Sequence, residues 1–523
     1  MTQGAGDEAQ PPVLEFAAPG SPAAGARLSD PGPIRNTLIQ LASQFAGAVF
    51  SAGLVFFLVR ALVPYQYGHY VLAVSIAGLL VVPTALGLPL GVGRFLADQG
   101  GEIAQVRAVL MVGLKLQVPI GLLTSLGLFA LSAVLARAFG EPGLTWPLRW
   151  AAVSIFGQAL YGFLSFAAMS IRQVKLAFAV SLIQSITEAG AAIALVLAGA
   201  GAAGATLGKA IGYTVAAGVG LVLTSALLGG RRSKAPAATR VRARTILKYS
   251  GATFIIDMGV GAIGQIDVLM IGALLSSTAV GNFGAVTRVL VVLGYLGSAV
   301  AAGVAPRVAL GSGPPDTRAF YQALRYLIII QGLALAPMVV WARPIIALAL
   351  GARYRSASDI MRVLALMGFI SAPAPLLSLS VTYLGQAARR VKIVFATLAF
   401  GAIASYVLIR LVGVIGAAIA DDLWVTAYGA ANLWICTRLI TLDLRALARS
   451  LLRTILAAGA MAFPLLLIGT HHLSAVQWVI GLTAGVICFV AVLLVSREIS
   501  LDELREAALT LRNGIAGPQR ASG

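Results

Sequence analysis

Phe56-Phe57-Leu58-Val59-Arg60-Ala61-Leu62-Val63-Pro64-Tyr65-Gln66-Tyr67-Gly68-His69-Tyr70 joins two apolar runs, at about 37–60 and 68–93, and reads as a short Pro-led turn between two helices. Each run holds roughly 20 or more residues, which at about 1.5 Å per residue covers the ~30 Å hydrocarbon layer of a bilayer. The same reading extends outward along the chain. Further runs fall at about 108–136, 147–170, 174–199, 203–229, 245–271, 281–306, 321–350, 358–384, 391–411, 413–440, 449–470 and 474–496, so about fourteen spans leave no room for a soluble domain. A transmembrane barrel would instead show strands of about ten alternating residues. Composition agrees, since 59% of the 523 residues are hydrophobic and 11% charged. Mean hydropathy is +0.92, far from that of a water-soluble domain. The expected fold class is therefore an all-α integral membrane protein.

A net charge of +19 raises nucleic acid as a partner, but the cations sit between spans and not on one exposed face. Taken alternately from the N-terminus, one set of connections holds Arg94, Arg107, Arg172, Lys175, Arg307, Arg318, Arg389, Arg390, Lys392 and the run from Arg231 to Lys248. With both tails that side carries about 27 cations against about 9, which places it and both termini in the cytoplasm and requires an even number of helices. Nucleic acid is not expected. Cys436 and Cys488 both lie within spans, so no disulfide framework is implied. Walker and Cys/His metal spacings are missing, and no cofactor is expected beyond a coupling proton or Na⁺. His471 and His472 read as a solvated pair in an outer loop.

The hairpin recurs at an offset of about 213 residues. Ala61 to Tyr70 lies on Ala273-Leu274-Leu275-Ser276-Ser277-Thr278-Ala279-Val280-Gly281-Asn282-Phe283 with one inserted residue, so that Gly-polar-aromatic returns at the same place and Arg94 falls on Arg307. Six spans precede the basic stretch 230–248 and six follow it, which predicts two six-helix lobes related by a pseudo-two-fold axis along the membrane normal. The expected organisation is a disordered cytoplasmic tail over 1–35, an N-lobe over 36–229, the linker 230–248, a C-lobe over 245–440, two extra spans over 449–496 and a cytoplasmic tail over 497–523. In that last tail Ser500-Leu501-Asp502-Glu503 fits a capping box, and Ile499, Leu501, Leu504, Ala508 and Leu511 fit an amphipathic surface helix.

An ionisable group inside a span is costly unless it faces a cavity or a partner. Asp257 near the middle of span 7 and Glu188 beyond the middle of span 5 are candidates for ion coupling or gating, by binding a proton or Na⁺ or by pairing with a cation in the closed state, or for neutral acids that lock two helices. Asp267 lies nearer the outer end of span 7, where a structural role in the hairpin competes with coupling. Asp421 and Asp422, near the outer third of span 12, could line the exit, but read better as a water-exposed helix cap. Lys115 in span 3, Lys209 at the start of span 6 and Arg288 in span 8 are the intramembrane cations, with snorkelling to the interface the favoured reading for Lys209. Pro83 and Pro89 in span 2, Pro119 in span 3, Pro337 in span 9 and Pro373 with Pro375 in span 10 each remove a backbone donor and are expected to bend their helices, either as hinges or simply for helix packing.

The string Phe56 to Tyr70 resembles the first helical hairpin of bacterial polysaccharide exporters of the multidrug/oligosaccharidyl-lipid/polysaccharide superfamily. Gln265-Ile266-Asp267-Val268-Leu269-Met270-Ile271-Gly272, with Val280-Gly281-Asn282-Phe283 and Arg288, is similar to the matching hairpin of their second lobe. The likeness covers about residues 36–440. It implies a flippase, not an enzyme, that moves undecaprenyl-pyrophosphate-linked oligosaccharide across the bacterial inner membrane for O-antigen, capsule or exopolysaccharide assembly. Its implied partners are that lipid-linked oligosaccharide, membrane lipids and the glycan polymerase and export machinery. Arg288, Lys115 and Lys209 would then compensate the pyrophosphate in a water-filled cavity. Two readings in the same superfamily stay open: a lipid II flippase, which the two extra helices suit, and a cation-coupled drug exporter, against which span 1 offers Asn36, Gln40, Ser43 and Gln44 but no acid. A membrane enzyme of glycan assembly is the reading from another class.

Overall fold

The computed structural model describes residues 33–85, 92, 103–171, 173–229, 243–309, 317–384, 387–471 and 473–503. Every regular element among them is helical. The tail expected over 1–35, the linker 230–248 and the tail beyond 503 fall wholly or largely outside the described residues, as do Arg94, Pro89 and His472. The first group of helices is α1 (Pro33–Ala61), α2 (Pro64–Ala85), α3 (Ile103–Ala138), α4 (Thr145–Ser170), α5 (Val174–Leu195) and α6 (Gly201–Gly229). The second is α7 (Ala243–Leu274), α8 (Ser277–Ala309), α9 (Thr317–Val340), α10 (Ala342–Ala349), α11 (Ser358–Ser371), α12 (Ala374–Tyr383), α13 (Ala387–Val412) and α14 (Val414–Leu439). Helices α15 (Leu444–Ile468) and α16 (Ala475–Val495) close the chain.

Nine segments among the described residues are long and apolar enough to cross a membrane. One of them, Val174–Leu227, is a double pass. Gly199 and Gly201 take positive φ of 89° and 52°, a conformation open to glycine without a Cβ penalty, and reverse the chain there. Beyond the turn Gly204 lies against Leu195, Gly208 against Ala192 and Gly212 against Glu188, so α5 and α6 run antiparallel at the close approach that small residues permit. The chain is a multi-pass membrane protein. Pro83, Pro119 and Pro337 are carried inside α2, α3 and α9, whereas span 10 breaks at Pro373 and Pro375 into α11 and α12.

The packing order repeats between the two groups. In the first, α1 lies on α5, α2 on α4, α3 on α4, and α6 on both α4 and α5; in the second, α7 lies on α13, α8 on α11 and α12, α9 on α11, and α14 on both α11 and α13. The lobes meet where α2 crosses α8. A Cβ on Gly68 would fall on the Ser277 carbonyl, and a Cβ on Gly281 would fall on the Pro64 carbonyl; each would also stand 3.1 Å from the other glycine's amide nitrogen. Gly68 matches Gly281, and Pro64 matches Ser277, under the offset read from the sequence. Such reciprocity, in which i meets j′ and j meets i′, is the signature of a two-fold axis through the contact.

Elsewhere the symmetry is broken: among the described residues α7 packs along α2, whereas its counterpart α1 barely touches α8. The α15–α16 hairpin is fastened to α9 rather than to the lobe interface. Trp341, fully buried, donates its Nε1–H to the carbonyls of Leu465 at 3.1 Å and Gly469 at 3.0 Å and meets Trp478 edge-on at 4.9 Å. At the other end Arg325 pairs with Glu498 at 3.1 Å and with Glu503 through two donors, while Arg453 holds the second oxygen of Glu498. The capping box read at Ser500 to Glu503 is present, with reciprocal bonds of 3.1 Å.

Candidate functional site

The α5–α6 hairpin places Glu188 one helical turn from Lys209 across the glycine contact. Lys209 Nζ stands 3.3 Å from Glu188 Oε1, with both side chains largely buried. Its ammonium also lies 4.9 Å from the ring centre of Tyr213, which in turn packs edge-on to Tyr161 at 5.4 Å. Gln184 Nε2–H donates to the other carboxylate oxygen, Glu188 Oε2. Each member of this buried pair thus has a countercharge and a second contact, which an ion pair held away from bulk water needs.

The pair faces a cavity of about 220 Å³ lined by α1, α2, α5 and α6, to which, among the described residues, the second lobe contributes one side chain, Arg288 of α8. That is room for several waters. The wall is half polar: Ser51, Ser181, Gln184, Ser185, Tyr70 and Tyr213 stand beside the charges. Among the described residues no carboxylate pairs with Arg288. The gap between α1 and α8 makes this space, so the departure from exact two-fold packing and the cavity are one feature.

A second ionisable group sits in the C-lobe. Asp267 on α7 and Asp421 on α14 are buried and lie within interaction range of each other. Ser405 of α13 donates to Asp267 Oδ1 at 2.5 Å, and the Trp424 indole donates to Asp421 Oδ1 at 2.9 Å. Two carboxylates have no donor between them, so a bond between these two would need one shared proton. The void beside Asp267 is only about 10 Å³, at the lower limit for a single water.

The sequence-derived candidates divide accordingly. Glu188, Lys209 and Arg288 are brought together, and Lys209 does not snorkel: its ammonium turns inward because a carboxylate waits one turn away. Lys115 is exposed on α3 and does not line this cavity. Asp257 lies on α7, but its side chain is outside the described residues. Asp421 and Asp422 are not a water-exposed cap. Gly413 already stands at the N-cap of α14, which carries both acids two turns into the helix, where they are 6% and 9% exposed. His471 is bonded to Arg343 at 3.0 Å in its loop.

One polar contact was missed by reading the sequence. Glu141, in the turn between α3 and α4, accepts from the Ser277 backbone N–H at 3.2 Å and stands 3.1 Å from His69 Nε2. An N-lobe carboxylate thus caps the N-terminus of the C-lobe helix α8, where a helix dipole favours negative charge. Burial opposes that charge, but the bonds from Ser277 and His69 outweigh it and hold the Glu141 carboxyl below its usual range. Beside it Arg60 of α1 donates to the carbonyls of Leu348 and Ala349 at the C-terminal end of α10, again across the lobes. The signal for His69 lay in the repeat, since its counterpart Asn282 likewise bonds an inter-helix turn, at Ser356 Oγ.

Over residues 34–309, just over half of the chain, the sequence matches the profile of the family described as polysaccharide biosynthesis protein. The chain belongs to that family. No curated protein matches it. Among solved structures it is similar to the lipid II flippase MurJ in an inward closed conformation, with a TM-score of 0.67 at 14% identity over 89% of this chain and 99% of that one. An inward-facing MATE multidrug resistance transporter of the MOP superfamily gives 0.57 at 15% identity over 76% and 95%. The MATE multidrug transporter DinF-BH, in complex with R6G, gives 0.55 at 15% identity over 80% and 98%. At these identities the likeness is one of fold, and it bears out the all-α, two-lobed architecture read from the two hairpins.

Proposed function

We propose that this member of the polysaccharide biosynthesis protein family is a flippase that carries a pyrophosphate-linked oligosaccharide lipid, of the undecaprenyl class, across the bacterial inner membrane by alternating access. The observation that carries the reading is the pairing of Lys209 from one lobe and Arg288 from the other around one hydrated chamber in an apolar bundle. A cation is costly at that depth unless a charged partner repays it, and a diphosphate bridging the two lobes would do so only while they are close. The glycan would remain in the widening gap and the lipid tail in the bilayer. Both termini are then cytoplasmic, as the charge asymmetry of the connections requires.

For coupling, the Asp267–Asp421 pair is the resident acid of the C-lobe, and its space suits a proton better than a hydrated ion. The drug-exporter reading has one observation in its favour, the first-lobe carboxylate Glu188 in the cavity; its bond to Lys209 weighs against a free cation-binding acid. The test is movement of lipid-linked oligosaccharide in proteoliposomes, with sugar composition monitored so that an enzyme would be recognised by its product. Arg288→Ala is expected to lower flipping at least tenfold with folding intact; unchanged flipping removes Arg288 from the mechanism.

A further inference from the structure

The charge balance of the chamber has a consequence for its filling. Its described lining holds two cations, Lys209 and Arg288, and one anion, Glu188. In the empty state Lys209 is already neutralised, so only Arg288 is available to an incoming anion. A diphosphate bearing a substituent at each end keeps a negative charge on both phosphates, and one guanidinium compensates one of them. The second countercharge within the same lining is Lys209.

If Lys209 turns to the diphosphate, Glu188 is left as a buried carboxylate without a cation, which costs several kcal/mol. If Lys209 instead spans both, with three donors on its ammonium, Glu188 stands beside a phosphate of like charge. Either arrangement is relieved by one proton on Glu188. The surrounding groups permit that change. From α6 it faces Lys209 and Tyr213, with Tyr161 of α4 behind; from α2, Tyr70; from α8, Arg288. The described part of α1 offers Gly47, Phe50, Ser51, Leu54 and Val55, none of which titrates. Gln184, which donates to the carboxylate, has an amide oxygen that can accept from the protonated acid after a flip of the group.

We propose that Glu188 is a charge-exchange residue: occupation of the chamber by a disubstituted diphosphate draws Lys209 from its carboxylate, and Glu188 takes up a proton from water, so that anion and proton enter together. This rests on the anionic-headgroup reading above and adds a stoichiometry to it. The experiment is calorimetry of the purified full-length protein with the symmetric dimethyl ester of diphosphate, whose own acids stay ionised at neutral pH, in buffers of different ionisation enthalpy. Uptake of about one proton per bound diphosphate is expected for the parent protein. Glu188→Gln, checked for folding by its melting temperature, is expected to bind about tenfold more tightly, without proton uptake and without pH dependence. Binding by the parent with no proton uptake, or uptake that persists in Glu188→Gln, overturns the proposal while leaving the flippase reading in place. Failure of the diphosphate to bind either protein overturns the headgroup reading and this proposal with it.

Discussion

Glu188 and Lys209 look onto about 220 Å³ of polar space, whereas Asp267, beside Asp421, borders only about 10 Å³ with Trp424 and Gly401. Both are ionisable pairs between helices of one lobe, and both lie deep in apolar surroundings. The wet pair consists of opposite charges and can exchange partners, because water or a ligand can replace either member. The dry pair consists of two acids beside each other, bonded to Ser405 and Trp424, and the one thing it can exchange is a proton. Under the proposed function the difference suits the first to recognition and the second to coupling, by solvent space more than by residue type.

The sharpest way to break the comparison is Lys209→Ala. It leaves Glu188 uncompensated and is expected to cost about 2–3 kcal/mol of stability, with flipping abolished; adding Glu188→Ala should restore most of the stability and none of the transport. Thermal melts and flipping assays on the two variants measure this, and a double variant no more stable than the single one would show that the pair is not coupled. Asp421→Asn is expected to do less. The amide can donate a hydrogen bond to Asp267, so stability should change by about 1 kcal/mol or less, while transport should stop responding to an imposed proton gradient. A gradient response equal to that of the parent would return the acid pair to a purely structural role. Smallest is Glu141→Gln at the contact between the lobes. Because Glu141 titrates below its ordinary value of 4.5, its contribution is complete above that value and is lost as pH falls through the lower folded one. The parent should therefore lose about 1 kcal/mol between pH 5 and pH 3 that the variant does not lose, seen as converging melting temperatures.

The membrane fold and its duplication were legible because both are written in long runs and in one repeated turn. Glu188 and Lys209 were each singled out by their depth, but their union was not, since it depends on where the α5–α6 hairpin reverses. The positive-φ glycines at 199 and 201 set that point and hence the register that brings the two side chains together. Lys115 was misassigned because depth along a helix says nothing about which face it occupies. Asp421 and Asp422 were misassigned because a helix starting at 413, as read, already carries them two turns inside, where α14 packs against α11 and α13 and not against water. The Asp267–Asp421 and Glu141–His69 contacts join residues far apart in the chain through three packed elements, and no local pattern announces such meetings.

The backbone crossing at Gly68 and Gly281 has a mechanical consequence. At Gly68 and Gly281 no side chain separates α2 from α8, so the two backbones bear directly on each other there, within an interface that α7 extends along α2, and the crossing can act as a fulcrum. Ten residues along either helix is a lever arm of about 15 Å, and a subunit-scale turn of about 15° would displace its far end by about 4 Å. A methyl group at either glycine would widen the bearing and force the arms apart at their shared centre, so the smallest residues in the interface set the travel of the largest motion.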